Sequence, residues 1–133
     1  MMRERTGYTL TEILVVIVIL AVLASIVVPR MLPQTEKANA AEGAGMLGAI
    51  RQGEMAYRLD TGSYLSPGSD ADWGKLGLDN PNNLATRKFD YAVDGASGTA
   101  TATRVASGGT YAGNTITLTI TGTWGGTHPY HPT

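Results

Sequence analysis

An unbroken aliphatic run, Ile13 to Ala24, constrains this chain more than any other feature, because only a bilayer or a bundle of other helices can cover it on every side. Ser25 alone interrupts the run before Val28. A helix from about Tyr8 to Val28 approaches bilayer thickness at ~1.5 Å per residue. A cleavable secretory signal would have a shorter apolar region followed by a small-x-small cleavage site. Here the run ends in Ile26-Val27-Val28-Pro29-Arg30, so the helix is expected to remain in the mature protein. Arg3 and Arg5 precede it, and Arg30 and Lys37 follow it. This near balance orients the helix only weakly. The short leader argues for a cytoplasmic N-terminus, with Gln34 onward outside the cytoplasm.

Glu12 stands one position before that run. A lone carboxylate in a spanning segment costs roughly 2.5 to 3.5 kcal/mol on insertion scales, so something must compensate for it. One reading is a capping box, Thr9-Leu10-Thr11-Glu12, in which Glu12 reaches back to the Thr9 amide. The other is a cationic partner from a second chain.

Gly7-Tyr8-Thr9-Leu10-Thr11-Glu12, followed by Ile13-Leu14-Val15-Val16-Ile17-Val18, resembles the processing motif of type IV prepilins and type II secretion pseudopilins. The shared pattern is a short basic leader, a glycine, an aromatic residue, a glutamate four residues later and an apolar helix. The resemblance implies cleavage between Gly7 and Tyr8 by a membrane-embedded prepilin peptidase, then methylation of the new Tyr8 amine. The family usually has Phe where this chain has Tyr8; tyrosine keeps the ring and adds a hydroxyl. Cleavage removes Arg3, Glu4 and Arg5 with the leader, leaving the Tyr8 ammonium of a neighbouring subunit as the expected counter-ion for Glu12. The resemblance is carried by Arg3 to about Leu32 and continues through Tyr64, where Met55 to Tyr64 looks like the helix end of many pilins and major pseudopilins.

Pro29 lacks the amide that would bond to the Ser25 carbonyl, and Pro33 repeats the defect one turn later. A kink at Pro29 and Pro33 is one reading and a simple end to the span is the other. Family resemblance implies a bend. From Gln34 to Asp60 a second helical stretch continues the first, with Leu47, Ile50, Glu54 and Tyr57 along one stripe and Gly62 as its stop. Gly43, Gly45, Gly48 and Gly53 weaken it, so it needs a sheet or neighbouring subunits to pack against.

Ser66 to Lys88 is rich in turn formers and reads as a long loop with one short helical turn. Beyond it, alternation in Phe89-Tyr91-Val93, Ala100-Ala102-Arg104 and Ile116-Leu118-Ile120 predicts three antiparallel strands. The Ile116 face would cover the helix, and the Thr115-Thr117-Thr119 face would stay wet or meet another subunit. Trp124 to Tyr130 reads as a tail pinned back onto the sheet. The expected fold is therefore α+β and pilin-like: a long N-terminal helix packed on a small antiparallel sheet of about three strands. The expected divisions are a leader at 1–7, a membrane and filament-core helix at 8–33, and a globular head at 34–133.

A formal net charge of -1 without a basic stripe provides no signal for nucleic-acid binding, and the absence of cysteine removes disulfides, thiolate metal sites and thiol nucleophiles. No Ser-His-Asp spacing, nucleotide-binding glycine motif or metalloprotease helix occurs, so no catalytic role is expected. His128 and His131 read as parts of a proline-bound tail rather than metal ligands. Asp70 and Asp72, or Asp79, Asp90 and Asp94, offer oxygen ligands, but their spacing matches no calcium-loop motif. No cofactor is expected, although the resemblance to major pseudopilins would add calcium in the late sheet.

The leading expectation is a major pilin that waits in the inner (cytoplasmic) membrane as a single-pass subunit and polymerises through its N-terminal helix into a cell-surface type IV pilus. A major pseudopilin of a type II secretion system, forming a periplasmic filament, is the alternative. A signal-anchored monomeric extracytoplasmic binding domain is the reading from a different class. The partners implied are copies of the same chain, the prepilin peptidase and an inner-membrane assembly platform.

Overall fold

The computed structural model describes residues 7–133. Arg3 and Arg5 of the expected leader lie outside the described residues. The described residues form two compact units, divided between Thr35 and Glu36.

In the first unit, helix α1 begins at Leu10. Every residue from Gly7 to Thr35 is exposed, so the apolar surface foreseen from the sequence finds no cover within the chain. The helix continues through Pro29 and Pro33 to end at Thr61. Beside the prolines, the Ser25 hydroxyl donates to the Val22 carbonyl at 2.7 Å and the Thr35 hydroxyl to the Met31 carbonyl at 3.1 Å. Such back-bonding gives each hydroxyl a partner within the helix.

The second unit holds the rest of α1 and the sheet. Glu36, Ala40, Gly43, Leu47, Ile50 and Glu54 are the buried helical residues, spaced three and four apart along one face. Gly62 stops the helix at φ 84°, its amide donating to the Arg58 carbonyl at 2.8 Å, as the sequence predicted. The long loop carries two short helical pieces rather than one. They are α2 (Asp70–Lys75), capped by Ser69, and a 3-10 turn (Pro81–Asn83) capped by Asn80. Trp73 and Leu76 anchor this region in the core.

Four antiparallel strands follow in the order β1 (Phe89–Asp94), β2 (Thr99–Arg104), β3 (Thr115–Leu118) and β4 (Trp124–Gly126). The register pairs Tyr91 with Ala102, Ala102 with Ile116 and Ile116 with Gly126. Phe89, Tyr91, Val93, Ala100, Ala102, Ile116 and Leu118 point inward and join Ala40, Leu47 and Ile50 in one core. The predicted α+β architecture and its antiparallel sheet are present.

The fourth strand departs from the expected three. Trp-Gly-Gly has no apolar alternation to reveal it, since Trp124 is its one side chain packed against the core. Gly126 sits at φ 119°, where an added Cβ would fall 2.2 Å from the Thr115 carbonyl oxygen. Between β2 and β3 the chain winds into a 3-10 stretch, Ala106–Tyr111, closed by the Gly113 amide donating to the Arg104 carbonyl at 2.8 Å.

Candidate functional site

The first unit presents the candidate processing and assembly segment. Gly7 and Tyr8 lie in exposed chain without regular structure just before the helix, and no heavy atom crowds the Cβ position of Gly7. Thr9 is the helix cap. Its backbone amide donates to Glu12 Oε2 at 2.7 Å and its hydroxyl to the same oxygen at 3.1 Å, while the Glu12 amide donates to Thr9 Oγ1 at 3.2 Å. This is the reciprocal capping box, and it occupies one carboxylate oxygen of Glu12. Tyr8 and Glu12 are not bonded to each other in the single chain, among the described residues. Behind them stands the exposed aliphatic helix, long and apolar enough to cross a membrane.

The second unit is organised around two buried carboxylates. Glu36 opens the head half of the helix, where Arg104 Nε donates to its Oε1 at 2.7 Å and Arg104 Nη2 to its Oε2 at 3.1 Å. His128 Nε2 lies 3.0 Å from the same Oε1, and Asn39 donates to Oε2 at 3.2 Å. Arg104 also donates to the Lys88 carbonyl at 2.8 Å. The clasp ties helix, strand β2 and tail together beneath the rings of Phe89, Tyr111 and Tyr130. Burial alone would raise the Glu36 pKa, but the hydrogen bonds from Arg104, His128 and Asn39 outweigh it and hold the group at about 2.

Glu54 is the second. Its Oε2 accepts the Leu65 amide at 2.9 Å, whereas its buried Oε1 has no partner. Burial pushes this carboxyl above the ordinary range, against the smaller opposing effect of that amide.

Of the acids weighed as calcium ligands, Asp70, Asp72, Asp90 and Asp94 are engaged locally, and Asp79 is exposed. Asp70 accepts from the side-chain amides of Asn80 and Asn83, and Asp72 accepts from the hydroxyl of the cap residue Ser69 and pairs with Lys75 at 2.8 Å. Asp90 pairs with Arg87, and Asp94 closes the β1–β2 turn through Ala96 and Ser97. No group of three or more His, Asp or Glu side chains is placed to hold a metal ion among the described residues. His128 is buried in the clasp and His131 lies in the tail beyond it.

Sequence reasoning missed the clasp. Extending the Ala40-Leu47 spacing back one turn lands on Glu36, and the inward alternation of β2 lands on Arg104; two opposite charges at core positions were the available signal.

A long exposed apolar helix behind Gly7-Tyr8, continuing into a head where it packs on a small antiparallel sheet, defines a pilin-like α+β fold. Residues 2–28 match the family model for the prokaryotic N-terminal methylation motif. The chain is similar to type II secretion core G proteins and to a type IV pilin. It is 43% identical over 88 residues to the type II secretion system core protein G of Vibrio cholerae, covering 66% of this chain and 58% of that protein. It is also 43% identical over 93 residues to the core protein G of Pectobacterium carotovorum, covering 70% and 56%. To the type IV wide pilus major component PilA4 of Thermus thermophilus it is 35% identical over 65 residues, about half of each chain. The chain thus spans just over half the length of these two core G proteins. This balance favours the pseudopilin alternative over the surface pilin that led the sequence reading.

Proposed function

We propose that this chain is the major pseudopilin of a type II secretion system, a structural subunit that polymerises through its N-terminal helix. The single observation that carries this reading is the helical run from Ile13 to Val28, aliphatic but for Ser25 and wholly exposed in one chain. Left in water, such a surface would aggregate. In a bilayer it is satisfied by lipid, and in a filament by equivalent helices packed side by side. Similarity to the core G proteins supports the secretion filament over the surface pilus.

Prepilin peptidase cuts after Gly7 and the Tyr8 amine is methylated, with the inner membrane holding the processed subunit until an assembly platform extracts it. During extraction, the Tyr8 ammonium of one subunit meets Glu12 of its neighbour. The capping box holds the carboxylate at the helix start with Oε1 unbonded among the described residues, which supports that pairing. Pro29 and Pro33 are the places where the helix loosens as it leaves lipid, because each removes one backbone hydrogen bond. The apolar helix, not a reactive centre, performs the work.

Intact-mass measurement of the protein from cells tests the processing: loss of Met1 to Gly7 with one added methyl is expected, and a mature chain that retains its leader overturns it. Electron microscopy separates the two filament types, with short periplasmic filaments expected and long surface fibres pointing to a pilus.

A further inference from the structure

Strand β1 is the first in the sheet and pairs with β2 alone, so its other edge has no strand beside it. The register decides which backbone groups face that edge. The Val105 amide donates to the Lys88 carbonyl at 3.1 Å, and the antiparallel alternation that begins there turns the backbone groups of Asp90, Ala92 and Asp94 toward β2. Phe89, Tyr91 and Val93 therefore send their side chains into the core and their backbone groups outward along the edge. A row of this kind is a template for a strand from another chain. The acids Asp90 and Asp94 lie on the exposed face of the strand, engaged by Arg87 and by the β1–β2 turn.

Asn82 occupies the centre of the edge. The Tyr91 amide donates to its Oδ1 at 2.7 Å, and its Nδ2 donates to the Tyr91 carbonyl at 2.8 Å. A side-chain amide carries the same acceptor and donor as a peptide unit, so Asn82 stands in for one residue of a neighbouring strand. The 3-10 turn that holds it is capped by Asn80, whose Oδ1 accepts the Asn82 backbone amide at 3.0 Å. Forming the turn therefore leaves the Asn82 side chain to the edge. Further along β1, the Ser66 hydroxyl donates to the Val93 carbonyl. Trp73 and Leu76, buried in the core, anchor the segment that carries both side chains.

We infer that Asn82 is an autoinhibitory plug, which closes the β1 edge against the same edge of a second copy. The residue it occupies identifies the excluded partner. In an antiparallel hydrogen-bonded pair the two residues exchange both of their backbone bonds, and two Tyr91 residues related by a two-fold axis would do so. Asn82 makes both bonds from within the chain. The plug keeps each head a separate sheet, whether or not the helices of neighbouring copies are packed together.

Hydrogen exchange and cross-linking of the full chain in detergent test this. Asn82→Ala should quicken exchange at the Tyr91 amide by about tenfold, while the Ala92 amide, which faces β2, is unchanged. Asn82→Asp keeps an acceptor for the Tyr91 amide but sets an oxygen against the Tyr91 carbonyl, so it should quicken exchange less. Across a Tyr91–Tyr91 pair, position 90 of one copy and position 92 of the other would have Cα atoms about 4.5 Å apart, within reach of a disulfide. The chain has no cysteine of its own. With Asp90→Cys and Ala92→Cys in place, oxidation with copper phenanthroline should give no covalent dimer while Asn82 is retained, and a dimer once Asn82→Ala is added. If Asn82→Ala also loses protection at Ala92, the head has opened as a whole and Asn82→Asp carries both comparisons. Unchanged Tyr91 exchange overturns the plug. Faster exchange without a dimer overturns the second copy as the partner excluded, and a dimer formed with Asn82 retained overturns both.

Discussion

Arg104 Nε donates to Glu36 Oε1 at 2.7 Å, joining the second strand to the first turn of the head helix across 68 residues of chain. Both side chains are almost entirely buried, and each carries a charge that would be costly there alone. Removing one partner should therefore be far worse than removing both. Arg104→Leu is expected to destabilise the head by about 3 to 5 kcal/mol, and Glu36→Leu with Arg104→Leu by much less. Chemical denaturation of the full chain in detergent, followed by Trp73 and Trp124 fluorescence, checks the order; equal losses for the single and double variants would remove the clasp from the account.

Glu36 also dictates how the head responds to acid. Its folded pKa, about 2, lies below the ordinary 4.5 because hydrogen bonds from Arg104, His128 and Asn39 favour the ionised form. Its contribution is thus fully present above about pH 4.5 and is lost as pH falls through about 2. Denaturation midpoints measured from pH 6 to pH 2 should decline for the native chain, with a shallower decline for Glu36→Gln.

Glu54 acts with the opposite sign. Burial raises its pKa, so the folded head binds its proton more tightly than the unfolded chain does. Stability is then greater at low pH and falls as pH rises from 4.5 through the folded value. Glu54→Gln keeps an oxygen for the Leu65 amide without the buried charge. Its midpoint should exceed that of the native chain at pH 7, with the gap closing toward pH 4; an unchanged gap would mean the carboxyl is not titrating in this range.

The fourth strand depends on one glycine. At φ 119°, with the Thr115 carbonyl oxygen occupying its Cβ direction, Gly126 admits no side chain without moving the backbone. Gly126→Ala is expected to cost about 1 to 3 kcal/mol and to detach β4 locally. Hydrogen exchange should quicken at the His128 amide, which bonds to that same Thr115 carbonyl, while Tyr91 in β1 stays protected.

At the other end of the chain, Glu12→Val keeps the helix apolar and removes the carboxylate. The subunit should still be processed and held in the membrane, but filament yield should drop at least several-fold. Thr9→Val, which removes only the hydroxyl side of the cap, should spare assembly. Quantifying sheared filaments against total membrane subunit distinguishes the two; normal yield from Glu12→Val would dismiss the proposed pairing with Tyr8.

Much of this protein was legible in its residues. The exposed helix, the helix stop at Gly62 and the inward faces of β1, β2 and β3 all follow from periodic patterns, and periodicity is a local property that sequence displays directly. Ile13 to Ala24 alone required a surrounding of lipid or other helices. The tertiary structure decided what depends on distant partners. Glu36 became a buried clasp because Arg104 and His128 arrive from strand and tail, and Trp-Gly-Gly became a strand because β3 offered its edge. A charge in a core position or a strand without alternation has no signature of its own, since the energy that stabilises it comes from groups tens of residues away.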